Sequence, residues 1–559
     1  MHDGICTLTG HPIDVIAGYV TTEQQTDITL PGPLPFVWQR CYYSNSTYQG
    51  QLGYGWHHRY DYHLLDGGSD YLLIQMPDGR ASGTLRPQLG KPSLIPDIRM
   101  HLCVDEKGIY YLQDYEGTQF HFGQGAFRHE DETGRRYPLS CIQDPHHNQI
   151  RFCYDEHKGH LSTIIDSAGR RLNVSTDKYG RITRIGLDDG CESHSLVSYV
   201  YQDLDLVQVL DAEQVPFSYL YQNHLLVKET NRVGTAYHFR WDDVSKGAQA
   251  RAIATWGKSE SYPEPFYVRE LHYDDVQRIT TVTDGRKTTM VYHWHPVLPV
   301  VSKEVDPLGH SVNYTFDDYQ NLVGTTDAMG YRTESEYDIA NRLVSQTDAQ
   351  GNKTEYRYPD PGQDELIFAR VSEIHDGERV TALTYNDQGD LIARQSDSEW
   401  LELSYHPTGQ LASAVNKAAD IVLLRYEYDD NGLLRTEFDH DGQPTRYEYN
   451  ARGLVTKVSS ACFGDTVFHY DARGYLTERR HQSMASELFT YNAEGQAIRY
   501  QDATGEVTEL AYQGLPFVRR RTHADGHYLS YEYDSELNLT ALVNENENGM
   551  RCTTMTKNA

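Results

Sequence analysis

Aromatic or aliphatic residues alternate with polar ones in short runs along most of the chain, and turn-forming residues interrupt them at intervals of about ten positions. Paired tyrosines recur with one residue between them, as in Tyr199/Tyr201, Tyr219/Tyr221, Tyr356/Tyr358, Tyr426/Tyr428, Tyr447/Tyr449 and Tyr531/Tyr533. A period of two places both rings on one face of a strand. The interruptions are Asp-x-x-Gly or its Asn variant. The Asp side chain can bond backbone two residues on, and Gly accepts positive φ at the end of the turn. No stretch carries a long amphipathic helix, so the pattern predicts an all-β chain of short strands and tight turns.

The runs repeat. Tyr428, Tyr449, Tyr470, Tyr491, Tyr512 and Tyr533 are each 21 residues apart. Gly432, Gly453, Gly474 and Gly495 keep the same interval, with Asp429, Asp471 and Asp534 following their tyrosines. An earlier tract repeats in another phase through Phe316, Tyr337-Asp338 and Tyr358. Each unit reads as two strands and two turns. Tyr426, Tyr447, Phe468, Phe489, Leu510 and Tyr531 share the first ring position. Phe and Leu there make packing the expected role of that face. Degenerate copies extend back to about Tyr154, and the rhythm breaks at about 241–265. The predicted organisation is a β-rich cap at 1–145, a repeat array at 146–549 with an irregular insertion at about 241–265, and an unstructured tail at 550–559. A distinct first module is physically expected, because the end of a stacked array exposes an unpaired edge. Its marked residues are Pro31, Gly32, Pro33, Pro35 and Trp38, followed by Gly53, Gly55 and Trp56.

These residues carry a resemblance. The Tyr-Asp-x-x-Gly-x-Leu units resemble the YD repeats of Rhs proteins, a family that includes the shells of insecticidal toxin complexes and of animal teneurins. Gly10-His11-Pro12-Ile13-Asp14-Val15, Asp27 to Pro35 and Gly53-Tyr54-Gly55-Trp56 resemble the start of the bacterial Rhs core. The resemblance implies a long spiralling β-sheet that forms part of a hollow shell. In bacterial members that shell encloses a C-terminal toxin, often delivered by a type VI secretion system. Family members usually end the shell with an Asp-Pro-x-Gly-Leu type plug motif, where aspartates release the toxin by self-cleavage. Asp306-Pro307-Leu308-Gly309 sits mid-array and is followed by His310, so it is assigned to the repeat. With only Met550 to Ala559 after the last recognisable unit, the chain reads as the front portion of an Rhs core.

Composition fits a wall better than a globule. Of the 559 residues, 43 are Tyr against 15 Phe and 6 Trp, and the apolar fraction is 38%. A sheet with two faces and no thick core is suited to rings with polar tips. The formal charge of −30 argues against nucleic acid, which needs a basic stripe to neutralise phosphates. No apolar run is long enough for a membrane helix. Met1 to Gly4 lack the features of a signal peptide, so the expected location is the cytoplasm, followed by export without a classical signal. The eight cysteines include no C-x-x-C pair.

Candidate chemistry is sparse. No phosphate-loop, serine-hydrolase or zinc-protease motif occurs. The pairs His57-His58, His146-His147 and His293/His295 have no third ligand in register. The repeated carboxylates sit where Asx turns need them. The sequence therefore predicts a non-catalytic protein with no cofactor and no metal. The partners it implies are the remainder of an Rhs shell or a toxin polypeptide, with a secretion spike protein and glycans as further candidates. An extracellular carbohydrate-binding or adhesion protein built from YD repeats is the alternative class, since tyrosine faces can stack on sugars.

Overall fold

The computed structural model describes residues 7–95, 98–123, 135–188, 193–260, 262–359, 369–546 and 549–551. The fold is all-β, with 57% strand and 1% helix. The tail expected at 550–559 lies outside the described residues from 552 on.

Residues 7–62 make small separate sheets. Leu8–Thr9 pairs with Ile13–Asp14, Gln49–Gly50 with Gly53–Tyr54, and Phe36–Tyr42 lies between Gln25–Leu30 and Trp56–His58. The strands from His63–Asp66 to Gln119–Phe122 fold back around their own apolar core of Leu64, Leu72, Ile74, Leu102, Leu112 and Phe122. Strand Arg135–Gln143 joins the two halves of that body. Its first residues pair with His63–Asp66 and its last with Gln119–Phe122. From there each strand pairs antiparallel with the next as far as Gly549–Arg551. This long sheet is not closed.

The repeat unit follows from its turns. Asp429 N–H donates to Leu433 O (2.8 Å) and Gly432 N–H to Asp429 O (3.0 Å). The Asp429 Oδ1 accepts from the N–H groups of Asn431 and Leu433 at 2.9 and 2.8 Å. Gly432 has φ 72°, the left-handed conformation that glycine adopts at no steric cost. Asp439 to Gln443 closes the other end of the unit in the same way.

A repeat of odd length would place successive tyrosines on opposite faces. One β-bulge per unit corrects the parity. Glu427 pairs with Thr436 but Tyr428 with Leu434, so one residue is extra. The bulge recurs at Tyr449, Tyr470, Tyr491, Tyr512 and Tyr533. Every repeat tyrosine therefore faces the same side, and each bulge adds local twist and bend.

The accumulated bend brings the sheet back over itself. His146 meets Asp390, Arg170 meets the Arg452 carbonyl, Arg232 N–H meets Glu494, and Arg269 meets Glu536, pairs separated by 244 to 282 residues. The turns on one rim of the first revolution thus lie against the turns on the opposite rim of the second. The rhythm break at 241–265 is no gap in the sheet. Val244–Gln249 is one short 3₁₀ segment, and Ala252–Ser259 and the long strand Tyr262–Asp274 stay in the ladder. Its register slips beside Pro263 and Pro265, which have no N–H to donate.

Candidate functional site: the inner wall and the segment seated on it

The tyrosines use more than their rings. The Tyr428 hydroxyl donates to the Leu411 carbonyl at 2.7 Å. Tyr449, Tyr470, Tyr491, Tyr512 and Tyr533 donate to the carbonyls of Leu434, Val455, Leu476, Ala497 and Val518 at 2.7–3.0 Å. Tyr358 does the same to Leu343. Packing is therefore only part of the role: the second ring of each pair stitches neighbouring units together. The first ring makes no such bond, which is why Phe468, Phe489 and Leu510 can stand there.

Residues 7–62 lie along this tyrosine face. The Trp38 indole donates to the Tyr199 hydroxyl at 2.9 Å, and Trp56 donates to Tyr221 at 2.9 Å. The Tyr42 hydroxyl reaches His224 O, His11 pairs with Glu229, and Thr280 bonds Val15 O. Pro31 O accepts from Arg170. One segment can touch strands this widely spaced on the same face only from inside the curve, so the tyrosine face is the inner wall.

The joint is polar at its centre. Arg40 is fully buried. It donates to Asp27 Oδ2 at 2.9 Å and to the Tyr219 hydroxyl at 2.6 Å. Tyr199 donates to the same Asp27 oxygen at 2.7 Å, and Tyr219 to Gln25. Burial alone would lower the Arg40 pKa, but Asp27 and the two tyrosines outweigh it and hold the guanidinium charged. Burial raises the Tyr199 and Tyr219 phenols, so both remain donors.

The marked opening residues each have a place. A Cβ on Gly53 (φ 93°) would sit 2.6 Å from Leu204 O, and one on Gly55 would sit 2.9 Å from the Tyr42 ring. Gly32 lies against Ser167. Pro33 and Pro31 crowd the repeat glycines Gly432 and Gly453, so the proline run wedges at the seam between revolutions. Pro35 lines a cavity of about 860 Å³ that also borders Tyr337 and Asn341 of the second revolution. Asp338, Asp471 and Asp534 cap their turns as Asp429 does. Gly474 takes φ 97°, and Gly495 lies under the Tyr475 hydroxyl.

A second buried polar group sits where the segment joins strand Arg135–Gln143. Arg136 donates to the Tyr48 hydroxyl at 2.6 Å, and Tyr48 donates to Asp61 Oδ1 at 3.0 Å. His63 Nε2 lies 2.6 Å from the Tyr48 oxygen and 3.2 Å from Asp61. His57 Nε2 meets Ser46 Oγ at 3.0 Å. His58 stacks on Trp38 and bonds Gln51 through Nε2. Of the other histidines, His146 is held by Asp390, and His295 Nδ1 accepts two backbone N–H groups. Among the described residues no group of three or more His, Cys, Asp or Glu is placed to hold a metal.

Sequence reasoning marked Trp38, Trp56 and the tyrosine pairs, and the structure brings them together. It missed Arg40, Tyr48, Asp61, His63, Arg136 and Glu229, which carry no periodic signal.

The repeat chemistry is matched by family models. The Teneurin YD-shell family matches residues 367–483 and 396–548, and the RHS Repeat matches 316–353. A domain of unknown function (DUF6531) matches residues 10–83. The chain is an Rhs/YD-repeat protein. The Rhs chain is 26% identical over 329 residues to the probable deoxyribonuclease RhsB of Dickeya dadantii, covering 56% of this chain and 20% of that protein. It is 25% identical over 318 residues to RhsA of the same organism, with 54% and 20% covered. It thus spans about a fifth of the length of these curated relatives. Among solved structures, TcdB2-TccC3-TEV aligns over 93% of this chain and 30% of its own, at 12% identity and TM-score 0.42. TcdB2-TccC3 without its hypervariable C-terminal region aligns over 96% and 32%, at 11% identity and TM-score 0.38. Rhs repeat shells are generally structural. No helix among the described residues is long and apolar enough to cross a membrane.

Proposed function

We propose that this Rhs chain is a non-catalytic part of a shell that encloses and exports a toxin polypeptide in competition between bacteria, in the manner of type VI-delivered Rhs proteins. It would assemble in the cytoplasm before export. The carrying observation is the contrast between its two revolutions. The large apolar core against residues 7–62 runs from Leu139 to Val301 and, among the described residues, includes none beyond it. The inner tyrosines of the second revolution, Tyr426 to Tyr533, are only half-buried. A wall of rings with polar tips, filled over one revolution and uncovered over the next, suits an unfolded polypeptide held without a fixed interface. The free rim of the second revolution carries exposed Ile421, Phe463 and Met484. It matches the rim that the first revolution uses for stacking, so further repeats of the same kind would complete the shell there.

The test is protease protection. The chain is purified together with the polypeptide encoded by the adjoining reading frame, and that polypeptide's digestion is compared with and without the shell chain. Protection that disappears when the shell is unfolded supports enclosure. Digestion at the rate of the free polypeptide overturns it.

A further inference from the structure

We propose that the buried cluster of Tyr48, His57, His58, Asp61 and His63, closed by Arg136, is an acid-sensitive latch that releases residues 7–62 from the inner wall. The device is independent of what the shell holds.

The cluster joins two bodies. Tyr48, His57, His58 and Asp61 belong to the N-terminal segment, His63 opens the next strand, and Arg136 lies on the strand that begins the array. The three histidines and Asp61 are 0–6% exposed. The Tyr48 hydroxyl has one hydrogen, and it goes to Asp61. Its oxygen therefore accepts from both Arg136 and His63 Nε2–H. This fixes neutral His63 with a bare Nδ1, which has no hydrogen-bond partner. His57 Nδ1 is likewise unpartnered, and its nearest carboxylate oxygen, Asp61 Oδ2, is 3.8 Å away. His58 Nδ1 already accepts from Tyr60 N–H. Neither His57 Nδ1 nor His63 Nδ1 has a hydrogen-bond partner in the docked state, and the unpartnered Asp61 Oδ2 lies beyond hydrogen-bond distance of His57.

The surroundings compensate a second proton only in part, and burial outweighs them. His57 is flanked by the rings of Tyr43 and Tyr48 and by the turn of Asp78 and Gly79. The Asp78 carboxylate favours its charged form, but burial outweighs it, and Asp78 is itself paired with Arg80. His58 faces Trp38, Tyr60, Gln51 and His57. His63 faces Arg136, whose cation repels a second one, and the Tyr62 backbone, which favours the charged ring but is outweighed by burial. Tyr154 faces Asp61 and Arg136 from the wall. With Asp61 ionised the cluster is balanced by Arg136. Each histidine proton adds an uncompensated charge out of reach of water.

The direction with pH follows. Burial lowers His57 to about 4 and His58 to about 3, and His63 well below its ordinary value. Once the segment is released and its own small sheet opens to water, all three regain ordinary values near 6.5. Below that pH the released segment binds more protons, and docking weakens as pH falls. Burial raises Asp61 to about 7, so docked Asp61 takes up a proton between about 7 and 4 and opposes the histidines. The net uptake on release is under about one proton at pH near 6.5 and approaches about two below about pH 6, so the opening constant rises by up to about 100-fold per pH unit as pH falls towards about 4.

Hydrogen exchange on the full chain tests this, with rates corrected for intrinsic exchange. Amide protection in strands Gln25–Leu30 and Phe36–Tyr42 is expected to fall steeply from pH 7 to pH 5, while Leu434–Phe438 and Val455–Ser460 keep theirs. Parallel loss in both regions, or loss in neither, overturns the latch. The double variant His57→Gln/His63→Gln should flatten the response, and a response equal to the parent's overturns it. Should that variant not fold, Asp61→Asn removes the opposing proton and should steepen the slope towards 1,000-fold per unit. An unchanged slope there overturns the latch as well.

Discussion

The Tyr449 hydroxyl donates to the carbonyl oxygen of Leu434, 15 residues upstream, at 2.7 Å. The same bond recurs from Tyr470 to Val455 and from Tyr491 to Leu476. It crosses from one hairpin to the previous one, at the bulge that bends the sheet. The phenol thus ties the twist of each unit to its neighbour.

Tyr449→Phe should therefore lower stability by about 1 kcal/mol, the usual net worth of such a bond. Tyr447→Phe, the first ring of the same pair, should cost less, because its hydroxyl meets a half-buried side-chain carboxylate, Glu437, that can turn to water, rather than a fixed backbone carbonyl. Urea unfolding of the two variants distinguishes them. Equal losses would mean the hydroxyl bond adds nothing beyond ring packing.

Asp27→Asn should be far more damaging. It leaves the buried Arg40 charge without its carboxylate, a loss of about 3–5 kcal/mol. The damage should be local to the docking of residues 7–62. Limited proteolysis should cut that segment while the array survives. Array and segment failing together would show that the segment is not a separate cooperative unit.

Two glycines with similar φ separate backbone strain from close contact. Gly309 has φ 87° and open space around its Cβ position, whereas Gly53 has φ 93° and the Leu204 carbonyl 2.6 Å away. Gly309→Ala should cost about 1 kcal/mol. Gly53→Ala should cost more, at about 2–4 kcal/mol, because strain and displacement of the backbone add. Thermal unfolding midpoints report the order.

At the seam, Arg269 donates to Glu536 at 2.7 Å, and the Glu536 side chain is 5% exposed. Arg286 stands 3.7 Å from Asp534 on a more open surface. Glu536→Ala should weaken contact between the revolutions by about 1.5–3 kcal/mol. Arg286→Ala should change little and lose its small effect in salt. Exchange protection at Tyr528–Tyr533 and Leu539–Asn544 would register the first change and not the second.

Much of the fold is legible in the residues themselves. Asp-x-x-Gly spells a turn because the Asp oxygen and the Gly φ act within five residues, and Asp429 with Gly432 does what that spacing predicts. The Tyr-x-Tyr pairs give a shared face because strand geometry is local. The break at 241–265 was visible, but not its cause: a lengthened strand and a missing turn look alike until the ladder partners are known.

The partners of the opening residues were not legible. Trp38 and Tyr199 are 161 positions apart, and no periodicity relates Arg40 to Asp27 and Tyr219. His57-His58 has no third ligand in register, and only the packing shows two neutral, buried rings with separate partners. The sequence by itself determined the strands, the turns and the face each tyrosine pair shares, because those depend on neighbours a few residues away. The tertiary structure decided which face is inner, where the revolutions meet, and which polar groups are sealed from water. Those outcomes depend on a bend accumulated over some 250 residues, in which each bulge contributes a little and no single motif records the sum.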